Sequence, residues 1–315
     1  MMAEISALQV KEKALACGFH KIGIVNVQDV STLAQGNESA AQRLAYWLDQ
    51  GYQASMEWMS DSRRQCLESV MPEVKSIISL AVNYYTPHER EERRDRAKIS
   101  RYAWGRDYHK VIMKRLKVLA QWLEEKGAAS RVYVDTGPIQ EKAWAQQAGL
   151  GWIGKHSNLI TRDYGSWIFL AEVLTDLELK SDPPHLPHCG TCTRCIEACP
   201  TQAIVEPYVV NANRCIAYHT IENRSSEIPV EVARQMDGWV AGCDICQDVC
   251  PWNQRFSQTT DIEEFQPYPW NVNPSLADLA ELSREDWDRK FRASALRRIK
   301  PGMFQRNARA NLEHG

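Results

Sequence analysis

The chain has 315 residues with 38 basic and 40 acidic side chains, a formal charge of −2, 44% hydrophobic residues, ten cysteines and eleven tryptophans. That balance excludes an intrinsically disordered or coiled-coil protein, and at roughly 100 to 200 residues per domain the chain can build about two cores. Its longest uncharged apolar runs, Ser76–Val82 and Trp167–Ala171, fall far short of the roughly 20 residues that span a bilayer, and the charged N-terminus lacks an apolar signal core, so a cytoplasmic protein is expected.

In chain order, helical patterns near residues 6 to 17 and 38 to 51 flank a β-rich run, Ile22–Val27, and a second such run covers Ser76–Val82. From Arg90 to Lys117, eleven basic residues stand against four acidic ones, a local charge of +7. The apolar positions Ile112, Leu116, Leu119, Ala120 and Leu123, stopped by Gly127, predict an amphipathic helix near 108 to 126. A strand over Arg131–Asp135, a helix near 138 to 148 and a strand over Trp167–Thr175 follow. This alternation indicates an α/β or α+β sandwich. Gly149-Leu-Gly151-Trp-Ile-Gly154 has the letters of a dinucleotide fingerprint, but it follows a helix where that motif needs a strand, so it is read as a helix stop.

The proline-rich stretch Ser181–Pro187 cannot continue a helix or strand and marks a domain boundary. The expected layout is a catalytic domain over 1–180, a cysteine-rich domain over 181–260, and a basic helical segment over 261–315 that packs back on the first. Within that last segment, Arg289 to Arg309 carries eight basic residues and no acidic one. Two basic stretches are what a polyanion such as a nucleic acid would need.

Eight of the ten cysteines fall between Cys189 and Cys250. The first motif is Cys189-x2-Cys192-x2-Cys195-x3-Cys199-Pro200; the second is an isolated Cys215, then Cys243-x2-Cys246-x3-Cys250-Pro251. This is the spacing of a two-cluster ferredoxin, in which the cysteine before each proline reaches across to the other cluster. The spacing assigns Cys189, Cys192, Cys195 and Cys250 to one 4Fe-4S cluster, and Cys199, Cys215, Cys243 and Cys246 to the second. Zinc would accept four cysteines but does not require two such Cys-Pro endings, and disulfides are disfavoured in a reducing compartment. Cys17 and Cys66 lie outside the pattern and read as small buried hydrophobes. Because clusters move single electrons and the cysteine module offers no substrate pocket, the chemistry is expected in the residues before it.

There, three polar and aromatic clusters sit at predicted element ends: Arg101–His109, Val134–Pro138 and Gly151–Ile160. Asp135 closes a strand before a Gly-Pro turn, a position open both to a ligand-facing acid and to a turn-capping one. His109 and His156 read by themselves as core or surface histidines.

Together with Met56–Met59, Ile204–Tyr208, Ser294–Ile299 and the split cysteine pattern, these clusters resemble epoxyqueuosine reductases, the cobalamin-dependent iron-sulfur enzymes that complete queuosine in tRNA. The similarity runs from about residue 5 to residue 305. It implies an α+β chain whose N-terminal α/β sandwich, of the nitroreductase and reductive-dehalogenase type, binds base-off cobalamin beside a two-cluster ferredoxin-like domain. It also implies that Asp135 is the proton donor, with its pKa raised in the apolar space above the corrin. Trp58, Asp135, Lys155, His156, Ser157, Leu159, Leu170 and Ala217 are the implied cobalamin contacts. Some relatives carry a helical-repeat extension after the point where this chain ends, which moves expected tRNA contacts onto Arg297, Arg298, Lys300 and Arg306, with Trp104 and Tyr108 as stacking surfaces. The expected partners are a tRNA bearing epoxyqueuosine and a low-potential electron donor of flavodoxin or ferredoxin type, and the expected state is a monomer. The competing readings are a reductive dehalogenase of a small organohalide, a non-catalytic electron carrier, and a zinc-stapled RNA-binding module.

Overall fold

Four strands form one sheet in the computed structural model, which describes residues 5–29, 34–35 and 38–314. Strands β1 (Lys21–Asn26), β2 (Ser76–Asn83), β3 (Ser130–Tyr133) and β4 (Ile168–Thr175) lie in the order β1-β2-β4-β3. Every neighbouring pair is antiparallel. The sandwich is therefore α+β, and the crevice rule for parallel strand ends, which drew attention to Asp135, does not apply to it.

Both faces of the sheet are covered, and alternation along the strands explains how. Ile24, Ile78, Leu80, Val82, Ala171 and Val173 face one core with helices α1 (Ala7–Ala16) and α3 (Tyr108–Glu125). Val25, Ile77, Ala81 and Leu174 face the other, beneath α4 (Glu141–Gln147), where Trp144, Ala145 and Ala148 fill the space. A capping box between Ser6 and Gln9 starts α1, and Asp107 caps α3 by accepting the His109 N–H at 3.1 Å. Gly149 and Gly151 follow α4 and lead into a hairpin, Trp152–Ile153 with Leu159–Ile160, whose turn begins at Gly154, as expected of a helix stop.

The proline-rich stretch is packed against the sheet. Asp182 accepts the Ile24 N–H at 2.9 Å and pairs with Lys11, and the His185 N–H reaches Gln146 O. Beyond it, two short helices that each carry a cluster cysteine, Arg194–Glu197 and Ile245–Asp248, lie against each other. Between Cys215 and Cys243 the chain forms two short helices and the strand Trp239–Ala241, which pairs in parallel with Lys98–Ile99. The C-terminal helices close a separate core. Trp287, Phe291 and Phe304 pack there with Ile99, Trp104, Val240 and Ala241, so this segment grips residues from both earlier parts of the chain.

Arg90 joins the two halves. Its guanidinium lies between the rings of Trp104 and Trp239, at 5.1 and 4.6 Å, and pairs with Asp244 and Asp248, both within the second cysteine motif. Arg90→Ala would leave Asp244, only 2% exposed, as a buried charge without its partner. The expected loss is about 3–5 kcal/mol, read as a lower urea midpoint. Among the described residues no helix is long and apolar enough to cross a membrane.

Candidate active site between the sheet and the cysteine domain

The eight motif thiols fall into two groups. Cys195 lies within electrostatic range of Cys189, Cys192 and Cys250, and Cys250 of Cys189 and Cys192. Cys215 senses Cys199, and Cys243 senses Cys246 and Cys215. Cys246 senses Cys215 and Cys199 and also, across the gap between groups, Cys195. Burial pushes the thiols of Cys195, Cys215, Cys243, Cys246 and Cys250 above their ordinary range, most strongly at Cys243 and Cys246, and a bound metal would draw them into the thiolate form. No three described His, Cys, Asp or Glu side chains close round a single ion. Cys66, in contrast to expectation, is exposed, because it lies in a run of short 3-10 turns that present it to solvent; its thiol donates to Glu68.

Asp135 stands on the rim of the sheet, two residues after the end of β3. Its backbone is left-handed, with φ 59°, a conformation that aspartate tolerates better than most residues. The turn is shaped by Gly137, where a Cβ would meet the Tyr133 ring at 2.5 Å. Two groups hold it, and a third faces it. Its N–H donates to Glu141 Oε1 at 2.8 Å, its Oδ2 lies 3.1 Å from His109 Nε2, and the Tyr108 hydroxyl lies near enough to help lower the carboxyl's pKa. His109 Nδ1 is in turn 2.8 Å from Asp107 Oδ1.

This arrangement reverses the expected electrostatics of Asp135. Burial alone would raise its pKa, but the hydrogen bond and charge of His109 outweigh burial and lower it. Burial likewise works against a charged His109, yet its bonds to Asp107 and Asp135 lift it to about 9. The group pushed up is Glu141, to about 8, by burial and by the neighbouring Asp135 charge. Lys142 is lowered by burial, while its ammonium donates to Ser157 O at 2.9 Å and Asn158 Oδ1 at 3.2 Å and senses the Cys246 thiol.

Asp135 is 53% exposed and Lys142 is also exposed, yet both respond as groups with protein on most sides. Side chains that reach solvent yet have protein on most sides mark a concave surface, a cleft. Its walls can be followed by contact: Arg64 senses Asp135 and Glu141, and donates to Trp58 O while its guanidinium lies 4.9 Å over the Trp58 ring. Ser157, also left-handed at φ 65°, donates to Tyr208 O. Tyr218 meets Ser55 at 2.7 Å, which brings the segment after Cys215 against the loop leading to Trp58.

The other sequence-derived candidates divide. Trp58 is 48% exposed beside the cleft, and Leu170 is half-buried on the α4 face of the sheet. Lys155 is tied to the first cysteine loop through Gly190 O and Cys192 O, at 2.8 and 3.0 Å. His156 is buried and held neutral, with burial lowering it to about 4 and Nε2 unpartnered. The Leu159 side chain belongs to the core under α4, and the Ala217 N–H faces the Cys215 thiol.

Three expectations for tRNA contact need correction. Trp104 is fully buried, with Nε1 on Ile99 O and Arg90 and Arg101 against its ring. Tyr108 is buried, stacked on Phe169 at 4.1 Å and on His109 at 4.0 Å, which leaves no face for a base. The guanidinium of Arg306 donates to the carbonyls of His219, Asn223 and Ser225, so it braces the cysteine domain from inside. Arg297 pairs with Asp288 and lies 4.3 Å over Trp287; Arg298 pairs with Glu222 at the cleft mouth, where its charge reaches Asp135; Lys300 is exposed. Part of the +7 stretch is neutralised by Arg90, Arg93, Arg96, Lys98 and Arg101 ion pairs, leaving Arg94 and Arg106 exposed before α3 and Lys110, Lys114 and Lys117 on its outer side. Sequence reasoning missed Arg64, Glu141 and Lys142, whose only signal was proximity to the Asp135 turn.

Comparison with known proteins bears on this geometry. Residues 64–136 match the epoxyqueuosine reductase QueG family model, and residues 188–253 match a 4Fe-4S double cluster binding domain. The epoxyqueuosine reductase of Synechocystis sp. is 60% identical over 88% of this chain and 96% of its own length. That of Atelocyanobacterium thalassa is 49% identical over 96% of this chain and 98% of its own. The chain belongs to the epoxyqueuosine reductase family. A crystal structure of an epoxyqueuosine reductase with an epoxyqueuosine-modified tRNA-Tyr stem loop superposes with a TM-score of 0.87 at 31% identity, covering 98% of this chain and 80% of that one. The Bacillus subtilis epoxyqueuosine reductase superposes with a TM-score of 0.86 at 30% identity, covering 98% and 81%, and in that structure the catalytic aspartate loop is swung out of the active site. As an epoxyqueuosine reductase family member, the chain is an oxidoreductase of tRNA queuosine biosynthesis that carries the double-cluster domain.

Proposed function

We propose that the cleft is the site where epoxyqueuosine in a tRNA anticodon loop is reduced to queuosine, with cobalamin bound between the sheet and the cysteine domain. One observation carries this reading: the cleft has a held carboxylate, Asp135, on one wall, and Lys142, which senses a cluster cysteine, on another. The residues suit a corrin. Trp58 offers an exposed ring, Leu170 an apolar flank, and the 155–158 loop a turn with its own polar groups already paired, save His156 Nε2. Trp58, Lys155, His156, Ser157, Leu170 and Ala217 would hold it, with Leu159 contributing main chain. Bound cobalamin would supply the reduced metal centre that delivers electrons to the epoxide.

The chain's own residues do the rest. Conversion of an epoxide to an alkene and water consumes two electrons and two protons, and two one-electron clusters match the first requirement. Cys189, Cys192, Cys195 and Cys250 would ligate one, and Cys199, Cys215, Cys243 and Cys246 the other; since Lys142 senses Cys246, this second cluster would lie next to the cleft and hand electrons on. Asp135 would protonate the oxygen as its bond to carbon breaks. In this layout residues 1–180 hold the corrin, 181–260 the clusters, and 261–315 brace both. A low-potential flavodoxin or ferredoxin would refill the clusters of a monomeric enzyme. The test is anaerobic purification, metal analysis and assay on epoxyqueuosine-bearing tRNA. Cobalt with iron and loss of the epoxide is the expected result, whereas iron alone after reconstitution with cobalamin would leave an electron carrier.

The tRNA surface in this reading is the cleft mouth around Arg298 and Lys300, with Arg297 flanking it. Reversing both charges, Arg298→Glu with Lys300→Glu, is expected to weaken binding and to flatten the slope of log K against log salt by about 1 to 2. Fluorescence titration of a labelled stem loop across a salt series measures it, and an unchanged slope would put the tRNA elsewhere.

A further inference from the structure

Asp107, His109 and Asp135 stand in one hydrogen-bonded line whose two ends are fixed independently. At one end, Asp107 Oδ1 caps α3 and accepts from both the His109 N–H and its ring, at 3.1 and 2.8 Å, so the helix start sets the imidazole's orientation. Tyr108 stacks on that ring at 4.0 Å and is itself pinned on Phe169. At the other end, Glu141 holds the Asp135 N–H. The ring of His109 is 32% exposed, so its proton exchanges with solvent.

We propose that His109 is the proton-supplying and positioning partner of Asp135, returning through Nε2 the proton that Asp135 gives to the epoxide oxygen. This rests on the reading of Asp135 as the donor. It follows from a conflict in that reading: beside His109 the Asp135 carboxyl is held ionised, and an ionised carboxylate cannot act as an acid. The proton of the resting pair sits on His109. Transfer along the 3.1 Å bond makes Asp135 neutral as it faces the substrate. Opening of the first C–O bond then leaves an alkoxide that takes the Asp135 proton. Cleavage of the second C–O bond releases the oxygen as water after a second proton, drawn from solvent through His109. The two electrons come from the reduced clusters, so two electrons and two protons balance the loss of one oxygen. Other groups facing the pair are Tyr102, Tyr108, Arg64, Glu141, Lys142 and Arg298. Of these, Glu141, raised to about 8, is neutral near pH 7.

The test compares single-turnover rates across pH for the loaded enzyme, His109→Gln, Asp107→Asn and Asp135→Asn, alongside histidine carbon NMR of the same proteins with clusters oxidised. Glutamine keeps a hydrogen-bonding head without a titrating proton. His109→Gln is expected to lower the rate roughly 100-fold with stem-loop affinity unchanged, and to abolish the loss of rate that the unmodified enzyme shows as pH rises through about 9. Asp107→Asn should retain the helix cap and move that loss to lower pH. In the spectra, His109 should titrate near 9 in the unmodified protein and fall toward the ordinary histidine range in Asp135→Asn. An ordinary titration of His109, or a His109→Gln enzyme with the original rate and pH profile, would overturn the relay while an inactive Asp135→Asn kept the donor. An active Asp135→Asn would instead remove the donor itself.

Discussion

Asp135→Asn is expected to bind stem-loop RNA, cobalamin and both clusters as the unmodified protein does, while turnover falls by a factor of about 100 to 10,000. The substitution keeps the side chain's shape, and its amide can still hydrogen-bond His109 Nε2, as acceptor or as donor according to the ring's protonation, so the turn and the histidine stay in place. The Asp135 N–H to Glu141 bond is untouched, since it is made by the main chain. Only the capacity to carry a proton is lost. Absorption and EPR spectra check the cofactors, and single-turnover conversion of an epoxyqueuosine stem loop checks the chemistry. Turnover within a few-fold of the original would show that another group protonates the oxygen.

Removal of single cysteines should sort the eight thiols into sets that cut across the two motifs. Cys246→Ala is expected to reduce bound iron from about eight to about four per chain, to delete one EPR signal and to stop turnover. Cys199→Ala, although it alters the first motif, should delete the same signal, because its thiol lies with Cys215 and Cys246. Cys250→Ala should delete the signal lost with Cys189→Ala, since Cys250 senses Cys189 and Cys192. If Cys199 and Cys189 variants lost the same signal, the crossed assignment would be wrong.

Legibility in the sequence followed the range of the interaction. All four strands of the sheet and helices α1, α2 (Ala40–Asp49), α3 and α4 announced themselves through apolar spacing, and the cysteine motifs through contacts a few residues long. Strand direction was not legible, because each of the four strands can pair either way until its neighbours are known. Asp135 was nameable, but its charge state was not: His109 lies 26 residues away in the chain and arrives only when α3 docks beside β3. Trp104, Tyr108 and Arg306 were misjudged for a related reason. Aromatic and basic residues suit RNA equally well whether they are free or committed, and here Ile99, Phe169 and the carbonyls after His219 had already claimed them.

The strand Trp239–Ala241 has a consequence for the order in which the molecule is made. It stands just before Cys243, pairs with Lys98–Ile99, and is covered by the helix Pro301–His314, whose Asn311 bonds Trp239 O and whose Asn307 bonds Val240 O. The scaffold that brings Cys243 and Cys246 to Cys199 and Cys215 therefore draws on residues 301–314 as well as on Lys98–Ile99. Residues 301–314 are synthesised after all eight motif cysteines, so iron insertion next to the cleft waits for a brace made later than its own ligands. Removal of the helix Pro301–His314 should register first as a defect in metal loading.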